Sequence, residues 1–234
     1  MNAVDCRESE KQYAGPLNAA QIAAGMNAAQ DNAARLLADS ELLLGAERYP
    51  TAASVAILAI EEVRKISTLR RMAICTDDAE RRLVWAEYRS GRGKNCHSII
   101  PDIHGAADEQ IAGEGSTTDR SGMIGALKQR GFYTDCMGDA NWTAPETSIE
   151  KQLAEQFIGI ARIALATSSY RHTAKEIELW AAHLGPVLDK PSEWIKTALR
   201  NWHRAMAQQG LVDLDPIVFE QLLRAAAQSR HAPA

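Results

Sequence analysis

Positive charge is not in excess in this 234-residue chain: 26 Lys and Arg stand against 30 Asp and Glu, a formal net charge of -4. A global field that would draw the protein onto nucleic acid is therefore absent, so any contact with RNA has to come from a local cluster. Cysteine is scarce and scattered. Cys6, Cys75, Cys96 and Cys136 form no CxxC pair, and a chain that is 46% hydrophobic has core enough without staples. The expectation is reduced thiols in a cytoplasmic setting. No two Cys or His residues have finger-like spacing, which argues against zinc. Gly-rich phosphate loops, nucleophile elbows and HExxH are missing too, so neither a metal nor another cofactor is expected. The longest near-apolar run, residues 52–60, is about half of a membrane span. Residues 1–13 carry Asp5, Arg7, Glu8, Glu10 and Lys11 and no signal-like apolar stretch. The sequence is read as soluble, with no membrane contact.

What remains is rich in Ala, Leu, Glu, Gln, Arg and Lys and poor in period-two β-branched runs, which predicts an all-α fold. A first helix follows Pro16 and runs to Gly45, read as its C-cap; Met26, Ala29, Ala33, Leu36, Leu37, Leu43 and Leu44 recur at three- and four-residue steps. A short connection over 46–50 makes the second helix, 51–75, its antiparallel partner. On that helix Val55, Leu58, Ala59, Ile66, Leu69 and Ala73 form one stripe with Glu62 in its middle, while Glu61 and Lys65 sit on the flank and are expected to pair. A third helix spans 77–89 with Leu83, Val84 and Trp85. Residues 101–122 read as a long loop, followed by a short helix over 123–130. Thr143-Ala-Pro-Glu146 reads as a capping box opening a helix with Ile149, Leu153, Phe157, Ile160 and Ala164 on one face. Helices over 173–184 (boxed by Thr173 and Glu176), 192–209 and 216–228 close the chain. The organisation is a flexible N-terminus (1–16), a bundle (17–170), a C-terminal helical extension (171–228) and a frayed tail (229–234), with Tyr170–His172 as the boundary or with all helices sharing one core.

Two groups of residues could carry chemistry. Arg92-Gly-Lys-Asn-Cys-His97 gathers Arg92, Lys94, Asn95 and His97 at a helix end. Metal-free RNA cleavage needs a base for the ribose 2′-OH, an acid for the leaving 5′-oxygen and a cation on the phosphoryl oxygens. An imidazole titrates near neutrality, and a guanidinium offers a fork matched to phosphate. The plain alternative is a solvated basic helix end. Glu62, a carboxylate on an apolar stripe, should meet a cation or a hydrogen-bond donor: it is either a structural ion pair with an arginine of another helix or the group that orients a catalytic Arg or His. Trp180, Trp194 and Trp202 read as core anchors, and Cys96 beside His97 lacks the orienting group a thiol nucleophile needs.

Several phrases, taken in order, resemble the AbiV family of abortive-infection proteins in the HEPN superfamily. They are Asn32-Ala-Ala-Arg-Leu-Leu37, Ala56-Ile-Leu-Ala-Ile-Glu-Glu-Val-Arg-Lys65, Trp85-Ala-Glu-Tyr-Arg-Ser90 with Lys94-Asn95, Gly131-Phe-Tyr-Thr-Asp135, Trp142-Thr-Ala-Pro145 and the Trp180 helix, covering about 17–205. The resemblance implies an antiparallel HEPN-like bundle that pairs as a homodimer. In many HEPN proteins an arginine and a histidine a few residues apart form a ribonuclease site across the dimer. Arg92 and His97, with four residues between them, fit that spacing, with Glu62, Asn95, Lys94, Arg89, Glu61 and Lys65 in supporting places. Gly93 stands where a polar residue often follows the superfamily arginine, and Arg89, in the shared Tyr-Arg-Ser phrase, has seven residues between it and His97. Other HEPN proteins keep the bundle without catalysis. Two functions follow: an anti-phage or toxin-like endoribonuclease that arrests translation or growth, or a non-catalytic dimer that binds a phage or ribosome-associated protein; expected partners are a second copy, RNA, and a phage-encoded activator or translation component.

Overall fold

The computed structural model describes residues 12–90, 117–166 and 170–212, with the backbone alone over 117–123. α1 (Ala19–Gly45) begins at a full capping box: Gln21 N–H donates to Asn18 Oδ1, and Asn18 N–H donates to Gln21 Oε1, both at 2.9 Å. Its end differs from the glycine stop expected. Gly45 lies inside the last turn, and Glu47 takes the left-handed conformation (φ 59°) while Arg48 N–H reaches back to Leu43 O at 2.9 Å. This is a Schellman-type stop with a glutamate in the position glycine usually holds.

α2 (Tyr49–Met72) starts after only three residues, with Pro50 in the first turn. Early α1 (Ile22 to Ala33) shares a core with late α2 (Val63 to Met72), and late α1 (Leu36 to Leu44) with early α2 (Ala52 to Ile60). The pair is therefore an antiparallel hairpin. α3 (Asp78–Ser90) packs Val84 and Trp85 against late α2, and α4 (Thr117–Arg130) lies on early α2 through Ile124 and Leu127. α4 begins at Thr117, so the last six residues of the stretch read as loop are helix.

α5 (Lys151–Ala166) buries Ala154, Phe157, Ile158, Ile160, Ala161 and Ala164 against α1 and α2, so the stripe read from sequence is its core face. Its start differs. Pro145–Thr147 is an isolated 3-10 turn, and Thr143 belongs to a two-stranded hairpin, β1 (Asp135–Met137) with β2 (Asn141–Thr143), registered Cys136 against Trp142. α6 (Ala174–Leu184) and α7 (Ser192–Gln208) follow, with a 3-10 turn over Gly185–Val187 between them. Ile177 enters the α1–α2 core, and Ile74 joins Trp180, Leu184, Leu199, Trp202 and Met206 in a third cluster. Trp180 and Trp202 are core anchors as expected, whereas Trp194 is 61% exposed. The helix expected over 216–228 lies outside the described residues.

α2 is thus the central helix, covered by α1, α3, α4 and α5 of its own chain. Pairing rests on the resemblance alone.

Candidate functional site

The carboxylates of α2 sort differently from the expected pattern. Glu61 pairs with Lys128 of α4, whose Nζ lies 2.7 and 2.8 Å from the two carboxylate oxygens, and not with Lys65. Glu62 takes Lys65, one turn on, at 2.6 Å. The reason is geometric: Ser54 Oγ–H donates to Lys128 O at 3.0 Å and pins the end of α4 onto α2, within reach of Glu61. Neither carboxylate is fully buried; their side chains are 14% (Glu61) and 18% (Glu62) exposed. Val55 and Leu58, flanking Glu62 on the supposed stripe, are only half-buried, while Ala52, Ala56, Ile57, Ile60 and Val63 form the dry face. Ala59, Ile66 and Leu69 of the expected stripe are buried, but Glu62 lies on the side of it that Val55 and Leu58 leave half-exposed.

Lys65 also stands over the Tyr88 ring, 5.2 Å from its centroid. This seats the last turn of α3 beside the Glu62–Lys65 pair, and Arg71 with Glu87 at 2.5 Å holds the same turn. Arg89 is exposed; it stacks on Trp85, 4.9 Å from the ring centroid, and donates to the Tyr13 carbonyl. The described part of α3 ends at Ser90, two residues before Arg92. Arg92, Lys94, Asn95 and His97 themselves lie outside the described residues, as does Cys96. Of the sequence-derived candidates, the structure brings together Glu62 and Lys65 at the root of that segment, with Glu61 nearby on α2 and Arg89 on the last turn of α3.

The buried ion pair expected somewhere on α2 belongs to Arg70. Its Nη2 lies 2.6 Å from both Glu176 Oε1 and the Tyr170 hydroxyl, and its guanidinium lies 5.7 and 5.6 Å from the Trp180 and Trp202 rings. His172 Nδ1 is 2.8 Å from the other Glu176 oxygen, and the His172 backbone exchanges two 2.9 Å hydrogen bonds with the Asn27 side chain of α1. Burial opposes charge on Glu176, yet the hydrogen bond with His172 and the Arg70 charge outweigh it and hold the carboxyl down at about 2. Burial also pushes the Tyr170 phenol up to about 12. Thr173 does cap α6, accepting from Glu176 N–H at 3.2 Å, but the Glu176 side chain points away from the cap to Arg70 and His172. Tyr170 and His172, the alternative boundary in the sequence, bond to Arg70 of α2 and Asn27 of α1. The half-buried Cys75 thiol is pushed by burial to about 11, so it is no ready nucleophile.

Among the described residues no group of His, Cys, Asp and Glu could hold a metal ion, and no helix is long and apolar enough to cross a membrane. A family model described as AbiV, of HEPN type, matches residues 21–166, a span that takes in α1 to α5 and the Arg92–His97 segment. Among curated proteins and solved structures, none matches the chain.

Proposed function

Because the chain belongs to the AbiV family, with the HEPN-type abortive-infection function that membership implies, we propose that it is a metal-independent endoribonuclease that arrests translation or growth during phage infection. The observation that carries this reading is the Arg92/His97 spacing inside the matched span, two residues on from the described end of α3, whose last turn lies beside the Glu62–Lys65 pair. In the proposed reaction the ribose 2′-oxygen attacks the adjacent phosphorus as His97 takes or returns the proton. The 5′-oxygen departs protonated, leaving 2′,3′-cyclic phosphate and 5′-hydroxyl ends. Arg92, supported by Lys94, holds the charge gathering on the phosphoryl oxygens. Asn95 is a further hydrogen-bond donor on the same segment. Glu62 is a positioning residue: through Lys65 and Tyr88 it fixes the end of α3. A homodimer, as the family implies, would set two such sites across its axis.

The test is cleavage of a labelled RNA by the purified full chain. Activity that persists in EDTA, yields cyclic-phosphate ends and falls on the order of 10²-fold in His97→Ala supports the reading. Arg92→Lys keeps the charge, loses the fork and stays strongly impaired. Cleavage that is unchanged in His97→Ala refutes the assignment.

A second reading, a non-catalytic dimer that docks a phage or ribosome-associated protein, has one observation in its favour. The β1–β2 hairpin is exposed on both faces and displays Trp142 at 79% and Met137 at 46% exposure, with Tyr133 beside it at 63%. Exposed aromatics of this kind suit a protein partner.

A further inference from the structure

Residues 13–16 lie across the last turns of α3 on their way to α1. The Tyr13 ring meets the edge of Trp85 (centroids 6.1 Å apart, planes at 86°), and Trp85 Nε1–H donates to the Gly15 carbonyl at 3.0 Å. The Tyr13 hydroxyl donates to the Pro16 carbonyl at 2.7 Å, folding the ring back over Gly15, where a Cβ would sit only 2.5 Å from the Tyr13 oxygen. The carbonyl of Tyr13 takes up the Arg89 guanidinium. We propose that residues 13–16 are a strap that occupies a phosphate-binding arginine, Arg89, and that lifting the strap frees Arg89 for an RNA phosphate.

What marks Arg89 is an unmatched charge held directly against the strap. Arg70, Arg71 and Arg81 each have a carboxylate (Glu176, Glu87 and Asp78), and Glu80 is engaged by Thr76. Among the described residues Arg89 pairs with no carboxylate; its partners are a neutral carbonyl and an indole face, which leave its charge uncompensated. Exchanging the carbonyl for a phosphate gives the planar fork a charged, bidentate acceptor. The strap is lightly held. Besides the Arg89 contact it is tied by one indole hydrogen bond and one ring edge, and Tyr13 is 56% exposed. The inference rests on the RNA reading above and deepens it with a regulated phosphate contact.

The experiment measures binding of a fluorescein-labelled single-stranded oligoribonucleotide by anisotropy across a salt series. It uses the full chain carrying His97→Ala, so that the probe is not consumed. Tyr13→Ala and Gly15→Ala loosen the strap from opposite sides, and each should tighten binding at least about threefold and steepen the salt dependence by about one phosphate contact. Adding Arg89→Gln to either should return binding to the level with the strap in place. No gain in either variant, a gain that survives Arg89→Gln, or no RNA binding by any variant overturns the proposal. A binding gain in a protein that does not cleave RNA supports the strap and counts against the nuclease reading alone.

Discussion

Removing the Glu176 carboxylate should loosen the C-terminal helices from the bundle, because it strands a guanidinium that is almost dry. The Arg70 and Glu176 side chains are 10% and 1% exposed, and the 2.6 Å pair spans α2 and α6. Breaking such a pair from one side typically costs about 3–5 kcal/mol, most of it the desolvation of the partner left behind. For a chain of this size that is a fall in melting temperature of roughly 6–20 °C. Glu176→Ala also releases His172, so it should be at least as damaging as Glu176→Gln. Arg70→Met with Glu176→Leu removes both charges and should be more stable than either single variant. The assay is urea unfolding followed by tryptophan fluorescence, since Trp180 and Trp202 flank Arg70. A loss below about 1 kcal/mol in Glu176→Ala, the range of exposed pairs, would refute the reasoning, as would a double variant worse than both singles.

Other outcomes follow from neighbouring geometry. Glu176 is held near 2 against an ordinary 4.5. Its contribution, on the order of 3 kcal/mol, is therefore whole above pH 4.5 and lost as pH falls towards 2. An acid titration should show that loss in the wild type and a flatter slope in Glu176→Gln. Glu61→Ala, which frees Lys128 on another helix, should cost about 1–2 kcal/mol, and Glu62→Ala, which breaks only a pair within α2, less than about 1 kcal/mol; denaturant midpoints for the two decide it. Gly131→Ala puts a Cβ 2.0 Å from Ser54 Oγ and 2.4 Å from the Pro50 carbonyl. It should destabilise by about 1–3 kcal/mol and weaken the seat of α4, read by hydrogen exchange over 124–130.

The order of the helices and the α1–α2 hairpin were legible because apolar residues at three- and four-residue spacing leave little choice of face. The α5 stripe from Ile149 to Ala164 and the Thr173 cap survive in detail for the same reason. What the sequence hid was pairing across elements. Glu61 and Lys65 have the spacing of a helical pair, but Lys128 arrives from sixty-seven residues away and takes Glu61. Glu176 has the signature of a capping box, yet a buried arginine and a histidine compete for its carboxylate and win. The hairpin escaped notice because Asp135-Cys-Met137 and Asn141-Trp-Thr143 are short, and neither face is buried to impose an alternation. Of the candidate site, the family phrases located Glu62, Lys65 and Arg89 around the exit of α3. No periodicity could say what orients Arg92 and His97.

The most direct test of the central claim is phage challenge of cells expressing the full chain as wild type, His97→Ala or Arg92→Lys, with expression matched by immunoblot. Wild type should restrict the phage or arrest its host, with RNA cleavage in the infected cells, and both variants should lose the protection along with the cleavage. Full protection by His97→Ala would contradict it and leave a binding protein in its place.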